Sequence, residues 1–325
     1  MGLYAAWVLG ANNSSGCVGA VAGCGMLSRR HALIIFTVFL ALGVSVEGWK
    51  NMSTVGEGLV GGFEGQIAGF SLFALISMIS AVVAVTSATL IGMPVSVSQA
   101  VVGAVMGFGI VVILACPGTG IWINTGLFIA VLVSWCLSPL LSAAGAFLVR
   151  KATVSATLRI ASISGISHFM LVGLVLSSAL TAYVFGANDL GASTGLFYPF
   201  LSGEGWPSAF LLAGVLGWAG AVFGALTYST KVMRTVGSRI TRLDAFTAFS
   251  AQLSTVVVVW SFVQMRIPVS TTQAFVGGLI GASLSRGVST VNLGSMRRII
   301  AVWILVPAAS MALASILGLF TLGLM

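Results

Sequence analysis

The chain has 325 residues, 58% of them hydrophobic and 6% charged, with a mean hydropathy of +1.12. A soluble domain carries roughly 25% charged residues, so a water-covered surface is excluded and lipid is the expected solvent. The 14 basic and 6 acidic residues give a net charge of +8, but the basic ones stand singly or in pairs between apolar runs, which argues against a nucleic-acid surface.

A membrane-crossing helix needs about 20 mostly apolar residues. Ten segments approach that length: 3–27, 31–48, 67–92, 94–115, 121–149, 163–185, 208–229, 244–265, 269–286 and 298–323. The expected fold is an all-α polytopic membrane protein. The start, MGLYAAWVLGANN, lacks the basic region of a cleavable signal and is expected to be retained. Two segments begin at prolines, Pro94 and Pro268, and are candidates for re-entrant helices. The stretch 187–201 reads as the second half of a broken helix. Cys17, Cys24, Cys116 and Cys136 form no CxxC pair and read as small packing residues, while His31 and His168 read as helix-end contacts. Gln66 and Gln252 are polar candidates on spans without a spacing argument. Arg266 is open to two readings, an attractor of anions or a snorkelling interfacial residue.

Alternating the spans with both termini outside puts Arg29, Arg30, Arg150, Lys151, Arg159, Lys231, Arg234, Arg239, Arg242, Arg286, Arg297 and Arg298 in the cytoplasm. Only Lys50 and Arg266 of the 14 basic residues remain outside, as the bias of short cytoplasmic loops demands. The expected location is the plasma membrane.

The chain also repeats itself. Gly10-Ala11-Asn12-Asn13 recurs as Gly186-Ala187-Asn188-Asp189 at an offset of 176, and Pro94-Val95-Ser96-Val97-Ser98-Gln99-Ala100 recurs as Pro268-Val269-Ser270-Thr271-Thr272-Gln273-Ala274 at an offset of 174. With five segments per half, the second copy must enter the bilayer from the opposite side. This predicts two inverted-topology repeats, 1–155 and 156–325, in one membrane domain with substrate near the midplane between them.

Within the copies, Gly-Ala followed by Asn or Asp weakens a helix in hydrocarbon, so an unwound backbone lining a cavity is expected at Asn12, Asn13, Asn188 and Asp189. A proline at a first helical position followed by hydroxyl residues leaves N–H and O–H donors at the helix start, which suits an anion. Ser96, Ser98, Ser270, Thr271 and Thr272 are therefore candidate substrate ligands, with the two starts converging on one site.

These residues resemble the inorganic phosphate transporter family of secondary transporters. Each half of its members carries a GANDxANxxG-like signature followed by a PxSTTH/Q-like helix start, and the resemblance covers essentially the whole chain. It implies carriage of phosphate with sodium ions or protons, a branch being associated with sulfate. It also implies that Asn188 and Asp189 serve cation and substrate and that Ser270, Thr271 and Thr272 hold the oxyanion. Asn12, Asn13, Ser96 and Ser98 are the first-half counterparts. Gln99 and Gln273 join Asn12 among the cation-coupling residues, and a sodium ion is implied at Asn188 and Asp189. This sequence departs from the pattern at Asn13, where the family has aspartate, and at Gly16 and Ala192, where it has asparagine. Those losses weigh against multi-sodium coupling and toward a proton on Asp189. The function expected is thus a secondary active transporter of a tetrahedral oxyanion, phosphate ahead of sulfate, with an anion channel as the more distant alternative. Two histidines without nearby carboxylates supply no enzyme constellation. No cofactor is expected beyond the coupling ion, H+ or Na+. The expected partners are the anion and lipid, with no nucleic acid, and a homodimer stays open.

Overall fold

The computed structural model describes residues 2–63, 67–160, 162–198, 201, 209–234, 243–287 and 292–323; Gln66 lies outside them. The first apolar run becomes α1 (Gly2–Ser14), a π-helical turn (Ser15–Gly19) and α2 (Ala20–Gly23). Helix α3 (Arg29–Glu47) leads into α4 (Trp49–Ser53) and a second π turn (Thr54–Gly58). Then come α5 (Ile67–Ile91), α6 (Val97–Ala115) and the 33-residue α7 (Thr125–Thr157). Helix α8 (Ile163–Phe185) runs through a third π turn (Gly186–Leu190) into α9 (Gly191–Thr194), the continuation expected for 187–201. Helices α10 (Ala209–Thr227), α11 (Ser229–Arg234), α12 (Ala245–Gln264), α13 (Thr271–Leu284) and α14 (Leu293–Gly323) follow. One short antiparallel ladder pairs Val60 with Ile123 and Gly61 with Trp122.

Eight helices among the described residues are long and apolar enough to cross a membrane, not ten. The segment 3–27 carries the polar run Asn12-Asn13-Ser14-Ser15 at its middle, which lowers its hydropathy, and 269–286 yields only the 14-residue α13. Polar caps explain where the helices begin. Ser28, Ser96, Asn124, Ser162, Asp244 and Ser270 each accept a hydrogen bond from the backbone N–H three residues on, which satisfies a donor that lipid would leave bare. Between caps the helices are apolar on most faces, and Leu140, Leu148, Ile304 and Phe320 are more than half exposed, as lipid-facing residues should be.

Glycine lets backbones meet. A Cβ at Gly103 of α6 would lie 2.5 Å from the Pro307 carbonyl of α14, and one at Gly277 of α13 would collide with the Pro139 carbonyl of α7. Gly10 and Gly224 bring α1 against α10, while Gly186 and Gly43 bring the α8 segment against α3. Such small-residue contacts replace the hydrophobic drive that lipid does not supply.

Charges gather at the two ends of α12. At its start Asp244 receives Arg286 at 2.7 Å and lies 3.8 Å from Arg150. At its end, about 30 Å away by helical rise, Gln264 accepts from Lys50 Nζ at 2.7 Å. Beside it Arg266, the one non-glycine with positive φ among the described residues, stacks over Trp49 at 4.9 Å.

Candidate functional site

The two repeated segments meet at the centre of the fold. Asn12 and Asn188 organise them: Asn12 Oδ1 accepts from the Val95 N–H at 2.9 Å, and Asn188 Oδ1 accepts from the Val269 N–H at 3.1 Å. These bonds hold each PVS segment extended, so Pro94 and Pro268 stand two residues before the caps Ser96 and Ser270 rather than at the first helical position. The expected placement of the prolines is corrected for that reason. Ser96 and Ser270 then accept from the N–H of Gln99 at 3.3 Å and of Gln273 at 3.1 Å. The starts also exchange bonds, Ser98 Oγ donating to the Val269 carbonyl at 3.3 Å and Thr272 Oγ1 to the Val95 carbonyl at 3.2 Å.

Asp189 sits in this junction, fully buried. Ser98 Oγ shares its one proton between the Val269 carbonyl and Asp189 Oδ1, 3.2 Å away, and Thr271 Oγ1 donates to Asp189 Oδ2. Asn188 Nδ2 in turn reaches Thr271 Oγ1 at 3.1 Å and the Val269 carbonyl at 2.7 Å. No ion pair to Asp189 occurs among the described residues, and it is the one buried Asp, Glu, Lys or Arg among them. A buried carboxylate without a cation is costly, so the junction invites a positive ion or a proton.

Asn13, at the position corresponding to Asp189, behaves differently. Its side-chain oxygen and nitrogen are both buried without a protein partner. It lines a cavity of about 10 Å³ with Ser15, Thr181, Thr271, Thr272 and Phe275. That is room for about one water. The junction is therefore closed around a small neutral polar space. Gln99 and Gln273 fall elsewhere: both are buried with an unpaired Oε1, and they line a mostly apolar cavity of about 420 Å³ with Trp135, Trp303 and Met311. No hydrogen bond joins either to Asp189 or Asn188 among the described residues.

The backbone at GAN(N/D) is not unwound. Gly186–Leu190 is a π turn inside a continuing helix, whereas Gly10–Asn13 stays in α1 and the first-half π turn begins at Ser15. A π turn admits one extra residue and shifts the hydrogen-bond ladder, which frees carbonyls without breaking the helix, and such turns favour functional sites.

The profile of a family described as "Phosphate transporter family" matches residues 9–314. The chain belongs to this phosphate transporter family. Its fold is a transporter's, not an enzyme's. Proteins provisionally named phosphate permeases are similar along their length. One from Methanocaldococcus jannaschii is 29% identical, with 97% of this chain and 94% of that protein aligned. One from Pyrococcus furiosus is 27% identical, with 95% and 92% aligned. A solved structure described as "The sodium-dependent phosphate transporter" superposes with a TM-score of 0.82 at 24% identity, covering 100% of this chain and 97% of that one.

Two further residues support the transporter's junction. Gln252, which the sequence marks only as a polar residue on a span, donates from Nε2 to the Gly16 and Cys17 carbonyls at 3.1 and 3.2 Å. Its Oε1 accepts from Ser177 at 2.8 Å and Ser178 at 3.2 Å, so it braces the first π turn against α8. Asn51, which no sequence motif singles out, donates to Asn188 Oδ1 at 3.0 Å. Its only signal is an amide in a short segment flanked by Lys50 and Met52, too little to place it. Asn51→Leu should remove a buried bond worth about 1–1.5 kcal/mol and raise the KM for phosphate roughly tenfold. Uptake kinetics in proteoliposomes measure this; an unchanged KM would show that Asn188 keeps its place without Asn51.

Proposed function

We propose that this member of the phosphate transporter family is a secondary active carrier, moving phosphate with a monovalent cation by alternating access around the junction of the two helix starts. The carrying observation is the reciprocal pair of bonds from Ser98 to Val269 and from Thr272 to Val95, with Asp189 between them. Hydroxyl and N–H donors from Ser96, Ser98, Ser270, Thr271 and Thr272 suit an oxyanion, and Asn13 offers an amide to the same cavity. Asp189 suits the coupling ion, with the Asn188 amide beside it. The likeness to a solved sodium-dependent phosphate transporter favours sodium, and the buried carboxylate also accepts a proton. Labelled phosphate uptake into proteoliposomes, driven by a sodium gradient or a pH gradient in separate arms and challenged with unlabelled sulfate, tests the reading. Concentrative uptake blocked by phosphate more than by sulfate is expected; downhill equilibration alone would make it a channel, and stronger block by sulfate would change the substrate.

The carrier reading includes two inverted halves, 1–155 and 156–325. Packing supports it, because partners exchange between halves: α6 meets α14 as α13 meets α7, and α1 meets α10 as α8 meets α3. Gly103 and Gly277, 174 apart, face Pro307 and Pro139. A further sequence match, Met52-Ser53-Thr54-Val55-Gly56 with Met233-Arg234-Thr235-Val236-Gly237, adds to it. The orientation, with both termini outside the plasma membrane, is supported by Lys50 and Arg266 lying at the end of α12 opposite Arg150 and Arg286. A single cysteine at position 154, placed in a chain whose native cysteines are serine, should react with an impermeant maleimide only after cells are opened. Reaction in intact cells would reverse the orientation.

A further inference from the structure

The two halves build the same junction from different chemistry. In the second half Asp189 takes hydrogen bonds from Thr271 of its own half and from Ser98 of the other. The offsets that relate Asn13 to Asp189, Val97 to Thr271 and Thr272 to Ser98 define the counterpart in the first half. There the carboxylate is an amide and the hydroxyl of its own half is a methyl group. Charge and hydroxyl partner are lost together. Val97 is 3% exposed and offers no oxygen, and the Asn13 amide has no protein partner. The third member, Thr272, is retained and spends its donor on the Val95 carbonyl.

Resting on the carrier reading, we infer that the protein holds one coupling cation per cycle, at the Asp189, Thr271 and Asn188 centre, and that the related Asn13, Val97 and Thr272 centre is a neutral space without a cation. A monovalent cation at low dielectric needs a full counter-charge or a cage of oxygens. The second-half centre offers a full counter-charge in the Asp189 carboxylate with the Thr271 hydroxyl bonded to it, while Asn188 Oδ1 is committed to the Val269 N–H and to Asn51 Nδ2. The first-half centre offers no counter-charge, only the neutral oxygens of the Asn13 amide and of the Ser15, Thr181 and Thr272 hydroxyls around a space of about 10 Å³, since Asn12 Oδ1 is committed to Val95 and Asn12 Nδ2 donates to Thr89 at 2.9 Å and to the Met93 carbonyl at 3.0 Å.

Simultaneous uptake of labelled sodium and labelled phosphate into proteoliposomes measures the ratio, with proton flux per phosphate at zero sodium as the second arm. The wild type should take one cation per phosphate, with a hyperbolic dependence of rate on cation concentration. The double variant Asn13→Asp with Val97→Thr, near-isosteric at both positions, should add a second cation per phosphate and make that dependence sigmoidal. A wild-type ratio of two overturns the inference and leaves the carrier reading standing. A ratio of one with an unchanged double variant that folds to the wild-type melting point overturns the role given to Asn13 and Val97. Absence of concentrative phosphate uptake under every gradient overturns the carrier reading and the inference with it. Should the double variant fail to fold, the wild-type ratio alone decides.

Discussion

Replacing Asp189 with asparagine should abolish gradient-driven phosphate accumulation and leave a folded protein. The side chains have nearly the same shape, so Ser98 keeps an acceptor in Oδ1 and the Thr271 hydroxyl turns to accept from the new Nδ2. What disappears is the charge. Charge-assisted contacts are worth about 1.5–3 kcal/mol each, so on the proposed role of Asp189 in holding the coupling ion its loss should lower concentrative uptake about a hundredfold. Stability should move the other way, because removing an unpaired buried carboxylate lifts a desolvation cost. The measurement pairs uptake against a gradient with the melting point in detergent. A variant that concentrates phosphate at the wild-type rate would remove Asp189 from coupling, whereas an unfolded variant would make its role structural.

The sequence carried much of this arrangement because membrane helices are set by apolar length. The runs at 31–48, 121–149 and 244–265 coincide largely with helices that begin at polar caps visible in the sequence, Ser28, Asn124 and Asp244, and the run at 67–92 coincides with α5. The repeated heptapeptide also pointed to its meeting place, since the inversion expected from an odd number of segments per half would turn the two helix starts toward each other. What remained hidden depends on neighbours distant in sequence. The π turn at Ser15 leans on Gln252, 236 residues from Gly16, and no local pattern announces that contact. The extended prolines follow from the amides of Asn12 and Asn188 capturing Val95 and Val269, which proline statistics for helix starts do not contain. Gln99 and Gln273 share the motif with Ser98 and Thr272, yet one residue of helix turns a side chain by about 100°, enough to send them to a different cavity.

Gly277→Ala should be among the most damaging single-methyl changes in the protein. The added Cβ would run into the Pro139 carbonyl, a backbone atom that no rotamer change can move, and Gly281 meets Ala143 in the same way one turn later. Helix α13 must then retreat from α7. Overpacking of this kind costs about 1–3 kcal/mol, and here the retreat also drags Thr271 and Thr272, at the start of the same helix, away from Asp189 and Val95. The melting point should fall by several degrees and transport should fall further than stability, because uptake needs the junction in register. Gly126→Ala is the matched control. Its nearest neighbour, Asn124 Oδ1, lies 3.7 Å from the added carbon, and a helical alanine in place of glycine should gain about 0.4–1 kcal/mol. Gly103→Ala, which meets Pro307 from the other half, should fail as Gly277→Ala does. Equal melting points for Gly277→Ala and Gly126→Ala would mean that α13 and α7 do not pack backbone to backbone. A tolerant Gly103 beside an intolerant Gly277 would show that the two halves, alike in sequence motif, do not share the burden of holding the helix starts together.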